Sequence, residues 1–526
     1  MIRTITARDL KARLNDGAEL ALLDVREAGE FGESHLLFAT PLPYSRLEFE
    51  VGTLAPRRGA PIVLCDDGTS GVALQAAARL TAMGDTDVAI LERGTAGWAA
   101  AGYVLFAGVN VPSKTFGELV EHAYHTPRIT AQDLVRMKET GEDFVIVDGR
   151  PYAEYRKMSI PGGICCPNGE LAYRIRSLVK NPQTKIVVNC AGRTRSIIGA
   201  QTLINVGVKN PVYALENGTQ GWFLADLALE HGADRKYPDT PDAATLAAAR
   251  DAATALMKKH GVAVVPAATL RTWLADATRT TYVLDVRTPE EYARGTLPGA
   301  VHAPGGQLIQ ATDQWVGVRN ARIVLADDDG IRAPVVASWL AQLGCTVAVL
   351  DGGIRAGLSV PRPAPAPLPA LDVIAPPALQ AELAAGRVCA LDVGASMRYR
   401  GAHVPGSRWS IRRRVVADAR AAGKPVVFIA DETDVARAAG RELHDAGMTD
   451  VRLLAGGFAA WQSAGLPVAA TPDTPADDQC IDYLFFVHDR HAGNRAAMRQ
   501  YLAWETGLLA QLDADDRRTF RIPETH

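Results

Sequence analysis

Cysteines, aromatic side chains and long apolar runs are all scarce in this sequence. Its 526 residues include seven cysteines, an odd number without regular spacing, which does not fit a disulfide framework. No Cys-x-x-Cys pair or cysteine–histidine cluster has the spacing of a zinc site, so no metal is expected. No apolar run reaches the roughly 18 residues of a membrane span, and the first residues show no apolar signal core. We therefore expect a cytoplasmic protein with no membrane partner.

Charge of either sign is not in excess. Lys plus Arg number 56 and Asp plus Glu 59, which gives a net charge of −3. This balance offers no electrostatic reason for binding nucleic acid. The chain is too long for one hydrophobic core, because domains typically have about 100–150 residues. Three to five domains are expected.

One pattern occurs four times along the chain. Each copy begins with a short helix and an apolar run that ends in an aspartate: Asp24, Asp148, Asp285 and Asp392. A second apolar run, a loop and an Ala-rich helix follow, and a third run ends in a Gly-rich turn. Short apolar runs that alternate with helices are typical of a parallel sheet buried on both faces. The sequence therefore predicts an α/β protein with four small domains, each a parallel sheet flanked by helices.

The repeats also predict the limits of the domains. We expect them at residues 1–110, 124–228, 262–359 and 375–470. Between them, residues 229–261 predict a helical bridge and residues 360–374 a semi-rigid Pro/Ala linker. Residues 477–526 are aromatic and helical in period. We expect this tail to dock on the domains, because so long an exposed apolar face would be a liability.

The repeated motifs resemble the rhodanese homology domain. The resemblance is carried by Asp-x-Arg after the first strand, Glu-Tyr or Glu-Phe a few residues later, Pro-Gly-Gly or Pro-Gly-Ala, a strand–loop–helix with Cys at the turn, and a final Gly-x-x-Gly-Trp. The match covers most of the chain, so the whole resembles the four-domain rhodanese-related sulfurtransferases of bacteria, often labelled thiosulfate sulfurtransferase. The resemblance implies sulfur transfer through a cysteine persulfide, with no metal or organic cofactor.

The loop after the second apolar run distinguishes the repeats. In the second repeat it reads Cys190-Ala191-Gly192-Arg193-Thr194-Arg195-Ser196. A loop between a strand end and a helix start can turn its amides toward one point, where the helix dipole adds positive potential. Arg193 and Arg195 add charge that favours the thiolate of Cys190, and Ala191 and Gly192 let the backbone approach closely. We predict that Cys190 is the nucleophile and that the rest of the loop binds the substrate.

The other three loops do not match this pattern. Aligned on the helix that follows, the third and fourth repeats place Asp327 and Asp431 at the position of Cys190. A carboxylate cannot become a persulfide, so both domains are predicted to be inactive. The first repeat has Cys65, but Asp66 and Asp67 follow it. These neighbours predict a raised pKa for the Cys65 thiol and at most a secondary role.

Further candidates flank the second loop. Arg150 belongs to the Asp-x-Arg pair and is expected mainly to form a structural ion pair, with substrate contact as the alternative. Arg174 is a candidate anion contact at the rim of the site. Cys165 or Cys166 either attacks the persulfide as a resolving thiol or belongs to the core, and the core is favoured. Most rhodaneses have His at the position of Ser159.

The predicted function is sulfur transfer by two displacements. A donor such as thiosulfate loads Cys190, and a thiol or cyanide removes the sulfur; a protein acceptor stays open. One alternative is a persulfide carrier or scaffold with poor thiosulfate turnover. Another is a phosphatase, because the cell-cycle dual-specificity phosphatases share this fold and a Cys-loop-Arg site. Their loop has five residues between Cys and Arg, whereas four separate Cys190 from Arg195, so this alternative is disfavoured.

Overall fold

A computed structural model describes residues 2–364 and 366–522. It contains four parallel sheets flanked by helices, which confirms the predicted α/β class and the fourfold repeat. The predicted strands that end in aspartate are all present, and each ends at the expected residue.

The first two repeats have the same succession of elements. The first contains β1 (Arg3–Ile5), α1 (Ala7–Leu14), β2 (Leu20–Asp24), α2 (Ala28–Glu33), β3 (Thr40–Pro41), α3 (Leu47–Leu54), β4 (Ile62–Cys65), α4 (Val72–Ala82), β5 (Val88–Leu91) and α5 (Gly94–Ala100). A connecting helix, α6 (Val111–Tyr124), follows. The second contains β6 (Arg128–Ile129), α7 (Ala131–Glu139), β7 (Phe144–Asp148), α8 (Tyr152–Lys157), β8 (Ile164–Cys165), α9 (Leu171–Leu178), β9 (Lys185–Asn189), α10 (Thr194–Asn205), β10 (Val212–Leu215) and α11 (Gly218–Leu224).

A long helix, α12 (Ala243–Lys259), lies in the predicted bridge. The third repeat contains β11 (Ala263–Val265), α13 (Ala267–Ala275), β12 (Thr281–Asp285), α14 (Pro289–Arg294), β13 (Val301–His302), α15 (Gly305–Gln310), β14 (Val318–Arg319), β15 (Arg322–Ala326), α16 (Arg332–Gln342) and β16 (Thr346–Leu350). The fourth contains β17 (Asp372–Ile374), α17 (Pro376–Ala384), β18 (Cys389–Asp392), α18 (Ser396–Gly401), β19 (Arg408–Trp409), α19 (Val415–Ala422), β20 (Val426–Ile429), α20 (Thr433–Asp445), β21 (Val451–Leu454) and α21 (Gly457–Ser463).

The tail is helical, as predicted, with α22 (Phe485–His488), α23 (Arg495–Gly507) and α24 (Ala514–Thr519). Short 3-10 helices complete the described structure at Tyr44–Arg46, Asn168–Glu170, Thr312–Gln314, Gly353–Arg355, Arg412–Arg414, Asp477–Gln479, Asp489–Ala492 and Leu508–Gln511.

Strand order is the same in the four sheets. It is β1-β5-β4-β2-β3 in the first repeat, β6-β10-β9-β7-β8 in the second, β11-β16-β15-β12-β13 in the third and β17-β21-β20-β18-β19 in the fourth. Neighbouring strands in each of these orders are parallel, so their carboxyl ends meet at one edge. Ligands of open parallel sheets bind outside that edge.

Both faces of each sheet are buried, as the second repeat illustrates. Val147 and Val188 belong to one apolar cluster with the helices on their side. Ile146 and Val187 belong to another cluster on the opposite face. Successive residues of a strand point to opposite faces, so the continuous apolar runs seen in the sequence are those of strands covered on both sides.

The described chain forms two compact units. One combines the first and fourth repeats and comprises mainly residues 21–108 and 366–488. Within it, Arg412 is fully buried, pairs with Glu48 and lies 4.3 Å from the ring centre of Tyr44. The other combines the second and third repeats, the bridge and the tail, mainly residues 109–362 and 489–522. Sequentially distant repeats therefore pack together in the first unit.

Membrane-spanning helices and metal-binding clusters are both absent from residues 2–364 and 366–522. None of the helices in these ranges has both the length and the apolar composition that crossing a membrane requires. The same residues contain no group of three or more His, Cys, Asp or Glu side chains arranged to hold a metal ion.

Candidate active site

Cys190 lies at the carboxyl edge of the second sheet. It directly follows β9, whose last residue, Asn189, is paired with Asp148 of β7. Three residues separate Cys190 from the start of α10 at Thr194. The residue is 2% exposed. The Cys190 carbonyl accepts a hydrogen bond from the Thr219 amide at 2.8 Å. The loop is therefore fixed against the start of α11 and is held between two helix N-termini.

The strand register corrects the sequence-based alignment of the four loops. The partners of Asp24, Asp285 and Asp392 are Cys65, Ala326 and Ile429, respectively. These correspond to Asn189, so the residues that correspond to Cys190 come one position later and are Asp66, Asp327 and Ala430. Asp327 was placed correctly, but the placements of Cys65 and Asp431 were wrong by one residue.

A contact common to the four repeats supports this register. Gly218 has no room for a side chain, because a Cβ there would lie 2.2 Å from the Cys190 carbonyl oxygen. Gly94, Gly353 and Gly457 approach the carbonyl oxygens of Asp66, Asp327 and Ala430 in the same way, at 2.2, 2.0 and 2.3 Å. Loops of different length connect strand and helix, so an alignment on the helix could not find this correspondence.

Two of the equivalent loops enclose their own aspartate. Asp66 accepts hydrogen bonds from the amides of Gly68 at 2.8 Å and Ala73 at 3.0 Å. Asp327 accepts them from the amides of Gly330 at 3.1 Å and Ala333 at 2.9 Å. In both repeats the carboxylate is directed at free amides of the loop and of the first helical turn. This loop shape therefore accommodates a hydrogen-bond acceptor at the end of a short side chain, although burial and the neighbouring Asp329 raise the pKa of Asp327 to about 7.

The two loop arginines are bound to carboxylates. Arg193 forms a two-pronged ion pair with Glu118 of α6, at 2.8 and 2.9 Å, and also contacts Glu121. Arg195 forms a similar pair with Glu154 of α8, with both distances 2.9 Å. Burial lowers the pKa of each arginine, but these carboxylates outweigh it and raise the pKa overall.

Burial also shifts the titration of Glu118, whose pKa rises to about 7 despite its arginine partner. The sequence predicted two arginine charges available to an anionic donor. The structure shows that both guanidinium groups are compensated.

The C-terminal tail reaches the Cys190 loop. Glu505 of α23 is fully buried, and its Oε1 accepts a hydrogen bond from Thr194 at 2.7 Å and lies 3.3 Å from the Lys114 ammonium. A Cβ on Gly192 would lie 3.1 Å from the other carboxylate oxygen of Glu505 and 3.3 Å from Tyr501. The expected docking of the tail is therefore observed, and it occurs on the candidate site.

Six of the seven thiols are buried in ways that oppose ionisation. Burial raises the pKa of Cys65 well above its ordinary value, and Asp24 and Asp66 add to the effect. The predicted direction is correct, although the sequence missed burial as the largest cause. Burial likewise raises the pKa of Cys165 to about 12 and of Cys345 to about 11, and it raises those of Cys166, Cys389 and Cys480.

Cys165 and Cys166 both lie in the core. Cys165 packs with Tyr155 and Ala233, whereas Cys166 belongs to the main apolar cluster of the second repeat. The structure gives no support to a resolving thiol at either position.

Arg150 and Arg174, the candidates for substrate contact outside the loop, are both bound to structural partners. Arg150 pairs with Asp148 at 2.9 and 2.7 Å, as expected for the Asp-x-Arg motif. Arg174 was predicted at the rim but is buried, where it contacts Glu170 and the carbonyl of Asp239 at the bridge. Burial of this long side chain under the bridge could not be read from its position in the sequence.

The histidine expected at the position of Ser159 has a structural role in two other repeats. His35 stacks on Phe31 with ring centres 3.9 Å apart, and His403 stacks on Tyr399 at 4.0 Å. Both residues and Ser159 form the same antiparallel bridge to a later segment. The missing histidine is therefore a difference in packing and does not weaken the candidate site.

Sequence reasoning missed several residues that complete the site, because they are distant in the chain. These are Lys114, Glu118, Glu154, Gln220 and Glu505. The Gln220 side-chain amide donates to the Ala191 carbonyl at 2.9 Å. Two of them had an available signal, since Glu154 belongs to the repeated Glu-Tyr motif and Gln220 to the repeated Gly-rich turn.

Comparison with known proteins agrees with this architecture. A family model described as the Rhodanese-like domain matches residues 6–101, 130–225, 267–359 and 375–464. The chain therefore belongs to the rhodanese family and contains four tandem domains of this kind. It is similar to a thiosulfate sulfurtransferase from Pseudomonas aeruginosa, whose crystal structure is 43% identical, with a TM-score of 0.91 and 99% of each chain covered.

More distant relatives match single repeats. An HTH-type transcriptional regulator of Mycobacterium tuberculosis is 35% identical over 111 residues, which are 21% of this chain and 48% of that protein. The crystal structure of the Alr3790 protein from Anabaena is 26% identical and covers 20% of this chain and 80% of that one, with a TM-score of 0.19. The chain spans about half the length of the curated relatives it matches.

Proposed function

We propose that this protein moves a sulfane sulfur from thiosulfate or a similar donor to a thiol or cyanide through a persulfide on Cys190. The main support comes from the hydrogen bonds of Asp66 and Asp327, which occupy the position of Cys190 in the first and third repeats. Each accepts one hydrogen bond from a loop amide and one, on its other oxygen, from an amide of the following helix, at 2.8–3.1 Å.

An aspartate and a cysteine persulfide have similar shapes. The first sulfur of the persulfide replaces the carboxyl carbon, and the terminal sulfur takes the place of one carboxylate oxygen. Ala73 and Ala333, whose amides bind these aspartates, are each the second residue of the following helix, and Arg195 has that place in α10. We infer that the Arg195 amide stabilises the terminal persulfide sulfur, since preorganised amides act most strongly in a buried site.

The proposed reaction consists of two displacements at one residue. The Cys190 thiolate attacks the outer sulfur of thiosulfate, the sulfur–sulfur bond of the donor breaks, and sulfite leaves with the bonding electron pair. The acceptor then attacks the terminal sulfur and releases the Cys190 thiolate. The residues of the chain bind, orient and shield the sulfur.

Substitution of Cys190 tests this function. Cys190→Ser should abolish thiocyanate formation from thiosulfate and cyanide, while circular dichroism shows an intact fold. Intact mass after incubation with donor should show added sulfur on the wild-type chain and none on the variant. Cys65→Ser is the matched control and should retain full activity. Substantial turnover by Cys190→Ser would place the reaction elsewhere.

The same experiment distinguishes a persulfide carrier from an enzyme. The burial and pairing of Arg193 and Arg195 support a carrier as the second candidate. These arginines have little free charge to attract a dianion such as thiosulfate. A carrier would load sulfur on Cys190 but would release thiocyanate slowly, whereas an enzyme would do both.

A further inference from the structure

The C-terminal tail adds a charged residue to the Cys190 loop from outside the repeated domains. Glu505 lies beyond the last segment matched by the family model, which ends at residue 464. It is fully buried on α23 and bound through one oxygen to Thr194 and Lys114. Burial alone would raise the pKa of Glu505, but Lys114 and Thr194 bring it below its ordinary value, so the carboxylate is charged.

The second oxygen of Glu505, Oε2, is buried next to the Cys190 loop without a hydrogen-bond partner in the described part of the chain. A buried carboxylate oxygen without a partner is costly. Glu505 Oε2 lies 3.1 Å from the position of a Cβ on Gly192, two residues after Cys190. An unpaired charged acceptor therefore faces the loop that carries the nucleophile.

Gln220 presents a second unpaired acceptor at the same glycine. Its Nε2 lies 3.3 Å from the Cβ position of Gly192 and donates to the Ala191 carbonyl at 2.9 Å. A carbonyl can only accept, so this bond fixes the orientation of the amide. The Gln220 Oε1 then has no hydrogen-bond partner among the described residues.

The charges around the loop also favour a ligand that carries hydrogen-bond donors over an anion. Arg193, Arg195 and Lys114 are each paired with one or more of Glu118, Glu121, Glu154 and Glu505. A fourth cation, Arg490, lies 3.5 Å from the ring centre of Tyr501 and also acts on Glu505. Four cations and four carboxylates balance, so the loop offers no excess positive charge to a second anion. Unpaired acceptors require hydrogen-bond donors, which thiosulfate, sulfite and cyanide do not carry as anions.

We propose that Glu505 is a specificity-determining residue that selects a sulfur acceptor with an ammonium or other hydrogen-bond-donating group next to its thiol. The proposal rests on the persulfide function of Cys190. In the transfer step, the acceptor enters as a thiol, gives its proton to the terminal sulfur of the Cys190 persulfide and attacks that sulfur as a thiolate. A new sulfur–sulfur bond forms, the bond to the Cys190 sulfur breaks, and Cys190 leaves as a thiolate. The ammonium group of the acceptor meanwhile donates to Glu505 Oε2.

Three thiols of similar size test the proposal. Cysteamine is cationic, 2-mercaptoethanol is neutral and mercaptoacetate is anionic. The full-length protein is loaded with inorganic polysulfide, the persulfide on Cys190 is verified by mass spectrometry, and its discharge rate is measured with each thiol. The ratio of the cysteamine rate to the mercaptoacetate rate is then compared between wild type and Glu505→Gln. Intrinsic thiol reactivity cancels in this comparison because both proteins receive the same reagents.

The wild-type ratio should exceed that of Glu505→Gln by about tenfold, as expected for a contact with a charged group. Glu505→Asp keeps the charge and should retain part of the preference. Arg495→Ala is the control for tail packing, because Arg495 ties the start of α23 to Asp226 at 2.6 Å. It should retain the full preference.

Several results would overturn the proposal. Equal ratios for wild type and Glu505→Gln, or an equal loss in Arg495→Ala, would show that the carboxylate does not select the acceptor. If Glu505→Gln fails to fold, the wild-type ratio is compared with that of free glutathione persulfide, and equality refutes the selection. Failure to load Cys190 at all would instead refute the persulfide function, and this proposal with it.

Discussion

At the scale of single residues, the seven cysteines show how strongly surroundings determine chemistry. The thiols of Cys65, Cys165 and Cys166 are held by sheet and core packing, and burial raises the pKa of each. Cys190 instead stands at a strand end beside the N-termini of α10 and α11, and helix N-termini favour nearby negative charge. Position in the fold, more than flanking sequence, separates the candidate nucleophile from the other thiols.

Alkylation measures this difference. With iodoacetamide at pH 8, we expect the first label at Cys190 and little at Cys65 or Cys165. A raised pKa means that the reactive thiolate forms only at higher pH, so the labelling of Cys165 should increase as the pH approaches about 12. Peptide mass spectrometry over a pH series checks this order. Labelling of Cys65 before Cys190 would contradict it, and Cys190→Ser serves as the blank.

At the scale of the loop and helix, Gly192 is predicted to control the fit of the tail. Gly192→Ala places a methyl group at 3.1 Å from Glu505 and at 3.3 Å from both Gln220 and Tyr501. Three neighbours would have to move, so α23 should loosen and sulfur transfer should fall. Hydrogen exchange of α23 and the transfer rate are the measurements. Gly507→Ala is the matched control in the same helix, since a Cβ there meets nothing within 4 Å. Equal effects of both substitutions would refute the role of Gly192.

The loop of the third repeat is predicted to stay inactive even with a cysteine. Asp327→Cys in a Cys190→Ser background should not restore transfer from thiosulfate. Arg332, the arginine of that loop, is bound by Glu170, Glu291 and two loop aspartates, so it offers no free charge to a donor anion. The new thiolate would also lie beside those carboxylates. The thiocyanate assay decides the matter, and clear turnover would show that loop shape alone suffices.

The sequence predicted the strands and helices of the repeats well, but it predicted less well which residues of the four loops correspond to one another. Strand ends at Asp24, Asp148, Asp285 and Asp392 followed from apolar runs, because strands buried on both faces leave a continuous signal. The correspondence of Asp66 with Cys190 was missed because insertions in a loop leave no periodic trace. Glu505 was missed for another reason: its partner Thr194 is 311 positions away, and a contact of that kind arises only from tertiary packing.

At the scale of the whole molecule, the third repeat and the tail support the second repeat. The third repeat meets the second through the Arg332–Glu170 ion pair at 2.9 Å and through a hydrogen bond from Trp339 to Thr202 at 2.8 Å. The tail adds Glu505 to the same unit. The third repeat therefore packs against the repeat that carries Cys190.

Removal of those segments provides the test. A chain ending at Leu229 would lose the Arg332–Glu170 ion pair, leave Glu170 with Arg174 alone, and expose the surface of the second repeat on which the third repeat packs. We expect aggregation or a lower melting temperature than that of the full chain, together with loss of sulfur transfer. Scanning calorimetry, light scattering and the thiocyanate assay measure these outcomes. A soluble, equally stable and fully active shortened protein would refute the supporting role.

The pairing of the first repeat with the fourth has a consequence for biosynthesis. Domains generally fold as they leave the ribosome, from the N-terminus onward. Here the first repeat can complete its packing against the fourth only when residues 366–488 have emerged, after most of the second unit has been synthesised. Glu505 follows the fourth repeat in the chain, so the surroundings of Cys190 are completed only after all four repeats have been synthesised. A nascent chain interrupted before α23 would carry the Cys190 loop without Glu505.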